Sequence, residues 1–187
     1  STVVNGEYYY DLEPVPEFDN LADRLIIDWG NGAINWHQWY DTQSKEVVEI
    51  LPQGYIGSFP GLLDFVLEFN ELKNLIDNPT ANHEWRDQLS AVNGIYLILD
   101  NNTGRQYIGS ANGKKGIWQR WSDYAANYTG GNKDLITLLE SDPLYYRHFK
   151  YSVLQTLPSN ITQREIVAIE KLYKDKLGSK MHGLNKN

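Results

Sequence analysis

The middle of the chain holds an apolar run, a cluster of turn-forming residues and a second β-like run in direct succession. The first run spans residues 94–99 and reads GIYLIL, which is typical of a buried strand. Residues 100–104 are Asp, Asn, Asn, Thr and Gly, which favour a tight turn. A second β-like segment follows over residues 105–109. This succession predicts an antiparallel β-hairpin, which any fold of the chain must accommodate.

Two helices, a strand and a last helix are predicted after the hairpin. Apolar residues recur every three or four positions over 116–127, as on one face of a helix. Asn132 suits the N-cap of a helix that ends near Glu140, and residues 148–157 have the composition of a strand. Thr162 opens a helix to Leu177, with Gly178 as its C-cap. The order β-β-α-α-β-α predicts an α+β fold in which a small sheet, the hairpin plus one strand, is flanked by helices.

The first 90 residues are predicted to form a separate, acidic and β-rich region. Three short segments, 25–29, 33–40 and 46–51, are rich in Ile, Val, Trp and Tyr. The apolar spacing then predicts a helix over residues 61–77, and residues 80–92 are interpreted as a bridge to the second half. We therefore expect two domains, residues 1–90 and residues 91–187.

Charge divides unevenly between these two regions. Residues 1–90 contain 16 acidic and four basic residues, whereas residues 91–187 contain eight acidic and 13 basic residues. The second region can therefore approach a phosphate backbone, and the first would be repelled by one. Two interpretations of residues 1–90 remain: a structural support for the second region, which we favour, or a domain that binds a protein partner. In the second case Trp29, Trp36 and Trp39 would form a recognition face.

Several classes of protein are excluded by composition. The chain has no cysteine, so it has no disulfide, no cysteine nucleophile and no Cys-based metal site. No apolar run approaches the roughly 20 residues that span a bilayer, so no membrane association is expected. No secretory signal is evident, so we expect a cytoplasmic protein. The chain begins with Ser1, which suggests that the natural protein extends further. The four histidines lack metal-ligand spacing, and no P-loop is present.

Two tripeptides stand ten residues apart within the predicted hairpin: Gly94-Ile95-Tyr96 and Tyr107-Ile108-Gly109. Another YIG, at residues 55–57, has no GIY upstream and lies between two prolines, so we interpret it as a coincidence. The pair resembles the GIY-YIG nuclease superfamily, which includes intron-homing endonucleases, the incision subunit of bacterial nucleotide-excision repair and some Type II restriction enzymes. The resemblance covers residues 91–187.

The resemblance implies a set of catalytic residues. The family has an arginine on the first helix with a His or Tyr one turn later, a glutamate on the last helix and an asparagine near the end of the domain. The implied set is Tyr96, Tyr107, Arg120, Tyr124, Glu170 and Asn185. The fourth position is often His in the family, so which tyrosine acts as the general base stays open.

The resemblance also implies a role for each residue. Tyr96 would take a proton from water with help from Tyr107, and Arg120 would hold the scissile phosphate. An ordinary tyrosine has a pKa near 10, so this role requires positive charge nearby. Glu170 would hold one Mg²⁺, with Mn²⁺ as an alternative, and Asn185 would orient Glu170 or the substrate.

Two glutamates of the last helix compete for the metal-binding role. Residues 162–165 read TQRE, a capping box that gives Glu165 a structural role. Glu170 is mid-helix, with Ile166, Val167 and Tyr173 at helical spacing around it. A carboxylate on an apolar face is costly unless a cation compensates it. These residues therefore predict Glu170 as the metal ligand.

Basic residues near the motif predict contacts with nucleic acid. They are Arg105, Lys114, Lys115 and Lys133, and no chemistry is assigned to the neighbouring Gly130-Gly131-Asn132 turn. We expect a metal-dependent DNA endonuclease in restriction or phage defence. Cutting both strands needs two active sites, which favours a homodimer. The alternatives are a non-catalytic nucleic-acid-binding module on a nuclease fold, and a DNA repair or mobile-element nuclease.

Overall fold

A computed structural model describes residues 2–4, 7–9, 13, 15–31 and 44–185. The chain divides into two compact units, Ser1–Gln53 and Gly54–Asn187. The second unit therefore begins well before residue 91, where the charge and motif pattern places the domain boundary. Among the described residues, no helix has the length and apolar character needed to cross a membrane.

The first unit contains two small antiparallel sheets. Strands β1 (Thr2–Val4) and β2 (Glu7–Tyr9) form one, and β3 (Leu25–Ile27) and β4 (Val47–Ile50) form the other. A short 3-10 helix, Pro16–Leu21, lies between the two sheets in sequence.

Strand β3 is shorter than predicted. It ends at Ile27 because a turn follows, in which the Gly30 N–H donates to Asp28 Oδ1 at 2.7 Å. The predicted strand over residues 33–40, with Trp36 and Trp39, lies outside the described residues.

The second unit begins with two helices that precede the hairpin: α1 (Phe69–Asp77) and α2 (His83–Ala91). The predicted helix start at residue 61 is wrong. Gly61 has a φ of 128°, and residues 67–68 form strand β5 (Leu67–Glu68), so the helix starts at Phe69. Helix α2 occupies most of residues 80–92, the segment predicted as a bridge, and it buries Trp85 and Leu89.

A four-stranded antiparallel sheet forms the centre of the second unit. It contains β5, β6 (Asn93–Asp100), β7 (Gln106–Ala111) and β8 (Phe149–Leu157), in the order β5-β8-β6-β7. Strands β6 and β7 are the predicted hairpin. Its turn is closed by the Asp100 carboxylate, which accepts the backbone N–H groups of Asn102 and Thr103 at 3.0 and 3.3 Å. Because β6 is central and β7 lies at the edge, β6 has the more continuous apolar sequence.

Three further α-helices lie close to their predicted bounds: α3 (Gly116–Asn127), α4 (Lys133–Ser141) and α5 (Gln163–Leu177). A short 3-10 helix, Tyr145–His148, precedes β8. The local capping predictions are confirmed. The Asn132 side chain caps α4, Thr162 and Glu165 form the capping box of α5, and Gly178 ends α5 in the left-handed conformation.

Two apolar cores lie on the two faces of the sheet. One contains Tyr96 of β6 and Trp121 of α3, together with Leu72 of α1 and Leu89 of α2. The other contains Ile95, Ile108, Leu157 and Ile166, and joins the sheet to α5. Because α1 and α2 cover the same face as α3, the compact unit includes residues 54–91 as well as the hairpin region.

Candidate active site

A buried cluster of two tyrosines and one arginine lies between the sheet and α3. Tyr96 of β6 and Tyr124 of α3 are fully buried, and their hydroxyl oxygens are 3.0 Å apart. Arg120, one helical turn before Tyr124, donates from Nε to the Tyr96 hydroxyl at 3.0 Å and from Nη2 to the Tyr124 hydroxyl at 3.3 Å. The structure thus brings together three of the six predicted catalytic residues.

Tyr107 extends this cluster from the edge strand β7. Its ring centroid is 6.3 Å from that of Tyr96, and its side chain is partly buried. A cleft of about 300 Å³ lies beside it, lined by Tyr107, Arg120 and residues 130–134. The Arg120 side chain is 30% exposed, so its charge is accessible to a substrate in the cleft.

Gly109 makes room for the Tyr96 hydroxyl. It lies opposite Tyr96 in the register of β6 and β7. A Cβ atom at position 109 would overlap the hydroxyl end of Tyr96. The terminal glycine of the second tripeptide therefore has a steric function, because it lets the tyrosine of the first tripeptide lie across β7.

The protonation of the cluster follows from its burial. Burial raises the pKa values of Tyr96 and Tyr124 above the ordinary 10.0, and the nearby Arg120 lowers them by less. Burial disfavours the charge of Arg120, but the Tyr96 and Tyr124 hydroxyls outweigh this and raise its pKa. At neutral pH the protein alone therefore holds two neutral tyrosines and one charged arginine. A general base at Tyr96 requires a pKa shift in the opposite direction.

Glu170 lies on α5 and binds the edge strand. Its Oε2 accepts a hydrogen bond from the Ser110 hydroxyl of β7, and its Oε1 is 2.6 Å from Lys174 Nζ. Of the apolar residues at helical spacing around Glu170, Ile166 is buried, whereas Val167 is 52% exposed. Lys174 also supplies, from within the chain, a positive charge that compensates the Glu170 carboxylate. The spacing of apolar residues does not reveal this partner.

Strand β7 separates Glu170 from the tyrosine cluster. Successive side chains of a strand point to opposite faces. Tyr107 therefore packs with Tyr96 on the α3 side, whereas Ile108 packs with Ile166 and Ser110 binds Glu170 on the α5 side. The predicted site therefore has two parts on opposite faces of the edge strand β7: the tyrosine cluster on one face and Glu170 on the other.

Asn185 binds the backbone of this same strand. Its Oδ1 accepts the Ile108 N–H at 2.8 Å, and its Nδ2 donates to the Ile108 carbonyl at 2.9 Å. Asn185 is 4% exposed. Its amide thus occupies the outer edge of β7, and within the described part of the chain its side chain has no hydrogen bond to Glu170. Asn185 positions the strand that carries Tyr107 and Ser110.

The four predicted nucleic-acid contacts lie in different environments. Arg105 binds residues of the hairpin turn: its Nε donates to Thr103 Oγ1 at 3.0 Å, and its Nη2 is 3.5 Å from Asp100 Oδ2. Lys114 and Lys115 are exposed, directly before α3. Lys133, the first residue of α4, lines the same cleft as Arg120.

The Gly130-Gly131-Asn132 turn forms one wall of this cleft, a location that was not predicted. Gly130 has a φ of 53°, and a Cβ at this position would lie 2.6 Å from the Tyr124 ring. In the sequence, the two consecutive glycines indicate a tight turn, because residues with positive φ angles are most often glycine. Their approach to Tyr124 is a tertiary contact.

The Glu170 carboxylate and the water that can reach it are ligands that fit a magnesium ion. Mg²⁺ prefers oxygen ligands and usually retains several waters. The Glu170 side chain is 21% exposed, so water can reach its carboxylate. The described residues contain no group of three or more His, Cys, Asp or Glu side chains that could hold a metal. A cation at Glu170 would therefore be bound by one carboxylate and water, which suits Mg²⁺ or Mn²⁺.

Comparison with solved structures finds the catalytic domain of the homing endonuclease I-TevI. That domain is 23% identical, with a TM-score of 0.39, and the match covers 50% of this chain and 96% of that one. A mutant of the intron endonuclease I-TevI catalytic domain is 22% identical, with a TM-score of 0.40 and coverage of 51% and 94%. No curated protein matches the chain.

The sequence model of the GIY-YIG catalytic domain matches residues 92–185. The match spans half of the 187 residues and includes all six predicted catalytic residues. GIY-YIG nucleases are generally dependent on a divalent metal. The α+β fold and the resemblance inferred from the two tripeptides are confirmed. The chain belongs to the GIY-YIG family and is a GIY-YIG type endonuclease.

Proposed function

We propose that this endonuclease hydrolyses phosphodiester bonds of DNA with the help of Mg²⁺ or Mn²⁺, in restriction or phage defence. The observation that carries the proposal is the contact of Arg120 with both tyrosine hydroxyls at the wall of an open cleft. A charged, pre-positioned arginine in a cleft is the group that a phosphodiester substrate requires.

Arg120 binds the scissile phosphate in this proposal. Two of its nitrogens are fixed by Tyr96 and Tyr124, so the guanidinium loses little further freedom when it binds. Lys133 lines the same cleft and adds a second positive charge for the DNA backbone. Lys114 and Lys115 contact more distant phosphates.

Tyr107 contacts the attacking water. It lines the cleft, whereas Tyr96 and Tyr124 are buried beneath Arg120. Because burial keeps the two inner tyrosines neutral, they act as hydrogen-bonding groups that hold Arg120, and the Tyr96 ring packs beside that of Tyr107. The general base is therefore the accessible tyrosine, Tyr107.

Glu170 holds the divalent cation, and Ser110 fixes the carboxylate against β7. When bound, the cation stabilises negative charge on the phosphate oxygens. Asn185 holds the outer edge of β7, so Ser110 and Tyr107 keep a fixed relation to each other. Loss of Asn185 would then weaken both parts of the site through the strand.

The unit that precedes the catalytic region is strongly acidic. Residues 1–53 form a separate compact unit outside the match to the family, and they contain ten acidic and two basic residues. Such a unit is repelled by DNA phosphates and fits a protein partner. We propose a homodimer, because cleavage of both strands requires two active sites, and a cytoplasmic location.

Incubation of the full chain with supercoiled plasmid and with single-stranded DNA, with Mg²⁺ or EDTA, tests this function. We expect cleavage with Mg²⁺ and none with EDTA. Arg120→Ala should be inactive, and Arg164→Ala, which removes an exposed arginine of α5, should match the wild type. Discrete fragments from a large unmodified DNA support restriction. A continuous smear would contradict restriction but retain the nuclease, and equal cleavage in EDTA would contradict metal dependence.

A further inference from the structure

Lys174 is a buried lysine whose ammonium contacts the carboxylate proposed to hold the metal. Its residue exposure is 9%, and its Nζ lies 2.6 Å from Glu170 Oε1. Lysine is almost never buried unless its charge is paired. The two residues are four positions apart on α5, with the glutamate nearer the N-terminus, which is the favourable order for such a pair.

This ion pair differs from an ordinary pair on a helix surface. In α1, Lys73 and Asp77 have the same spacing and the same 2.6 Å separation, but their side chains are 39% and 51% exposed. The corresponding values are 11% for Lys174 and 21% for Glu170. Water screens the α5 pair less, so its Coulomb attraction is stronger at the same distance.

The remaining oxygen of Glu170 also has a donor. The Ser110 hydroxyl of β7 binds Oε2, so each carboxylate oxygen accepts from one group. A cation that binds Glu170 must therefore share the carboxylate with an ammonium in direct contact, and like charges in a weakly screened site repel.

We propose that Lys174 is a resident counter-ion of Glu170 that competes with the divalent cation for this carboxylate and so sets the metal affinity of the enzyme. The inference rests on the proposed function, in which Glu170 is the metal ligand. Lys174 keeps the carboxylate neutralised and aligned before the cation arrives. The same contact weakens the binding of the cation.

The charge of Lys174 can be separated from its packing by substitution. Lys174→Met keeps the unbranched side chain up to the position of Cε and removes the charged Nζ, whereas Lys174→Arg keeps the charge. Lys171→Met is the matched control, because it removes one positive charge from an exposed position of the same helix, next to Glu170 in sequence. Glu170→Gln removes the proposed ligand and tests whether Glu170 binds the metal, which the inference assumes.

The experiment is calorimetric titration of the full chain with Mn²⁺, in the absence of DNA. We expect Lys174→Met to bind Mn²⁺ about tenfold more tightly than the wild type, a gain of about 1.4 kcal/mol. Lys174→Arg and Lys171→Met should change the dissociation constant by less than about twofold. Glu170→Gln should lose the binding heat.

The outcomes separate the inference from the proposed function. Unchanged Mn²⁺ binding in Glu170→Gln would show that the proposed ligand is wrong. Lost binding in Glu170→Gln with unchanged or weaker binding in Lys174→Met would overturn the role of Lys174 alone. Circular dichroism checks folding, and Lys174→Gln is the second neutral variant. If neither neutral variant folds, Lys174 is a structural anchor and the inference is overturned.

Discussion

The hydroxyl of Tyr96 on the central strand and the hydroxyl of Tyr124 on α3 are hydrogen-bonded at 3.0 Å in the interior of the catalytic unit. Arg120 donates to both of them from the wall of the cleft. The two tyrosines therefore fix the position of the charge that the substrate meets, and changes that disturb either ring should act through Arg120.

Arg120→Lys should abolish most of the activity, although it keeps the charge. Lysine cannot donate to both tyrosine hydroxyls and grip a phosphate with a planar pair of donors. We expect a rate loss of about 100-fold or more, on the order of 3 kcal/mol of transition-state stabilisation. Plasmid cleavage rates measure this loss, with Arg164→Lys as the control. Near-native turnover would mean that Arg120 is not the phosphate-binding group.

Gly130→Ala should lower activity more than Gly131→Ala. Both glycines have positive φ, 53° and 79°, so alanine strains the backbone at either position. A Cβ at 130 would press on the Tyr124 ring, whereas a Cβ at 131 has no atom within 4 Å. We expect Gly130→Ala to lower both the melting temperature and kcat further than Gly131→Ala does. Equal kcat values in the two variants would show that the contact with Tyr124 is not needed.

Glu165→Ala should destabilise the protein in a pH-dependent way and retain activity. Hydrogen bonds from Thr162 lower the pKa of Glu165 below its ordinary 4.5. A lowered folded-state pKa means that the stabilisation is present above pH 4.5 and is lost as pH falls through the folded value. The melting temperature of wild type should exceed that of Glu165→Ala at pH 7, and the gap should narrow at pH 3. An equal difference in melting temperature at pH 7 and pH 3 would show that ionisation of the Glu165 carboxylate does not contribute to the cap.

Tyr151→Phe should be at least as stable as the wild type at pH 7. The Tyr151 hydroxyl is buried with no hydrogen-bond partner among the described residues, and such a group costs about 1–3 kcal/mol. Burial also raises the pKa of Tyr151, so the wild type should lose stability relative to Tyr151→Phe above pH 10. Denaturant unfolding measures both effects. Tyr145→Phe is the control and should be destabilised, because Tyr145 donates to Asp100 at 2.9 Å.

A fragment of residues 54–187 should fold, and a fragment of residues 91–187 should not. The shorter one lacks α1 and α2, whose Leu72 and Leu89 are fully buried in the core beside Tyr96. Thermal unfolding followed by circular dichroism should be cooperative for the longer fragment alone. A cooperative transition in both would show that the catalytic unit begins at the hairpin.

The sequence by itself determined the elements that depend on local interactions. The hairpin, the capping box of α5 and the ends of α3 and α5 follow from residues within a few positions of one another, because turns and caps are short-range hydrogen-bonding devices. The spacing of Arg120 and Tyr124 likewise places both on one face of α3 without knowledge of the fold. The pairing of two tripeptides identified the family, since together they define one hairpin.

The tertiary structure alone decided the properties that depend on what surrounds each residue. The coverage of the sheet by α1 and α2 moves the boundary of the unit to Gly54, and no local pattern encodes that packing. Burial raises the pKa of Tyr96, and desolvation is a property of the assembled core. The bond from Ser110 to Glu170 joins residues 60 positions apart, and long-range contacts of this kind exist only when strand and helix have packed together.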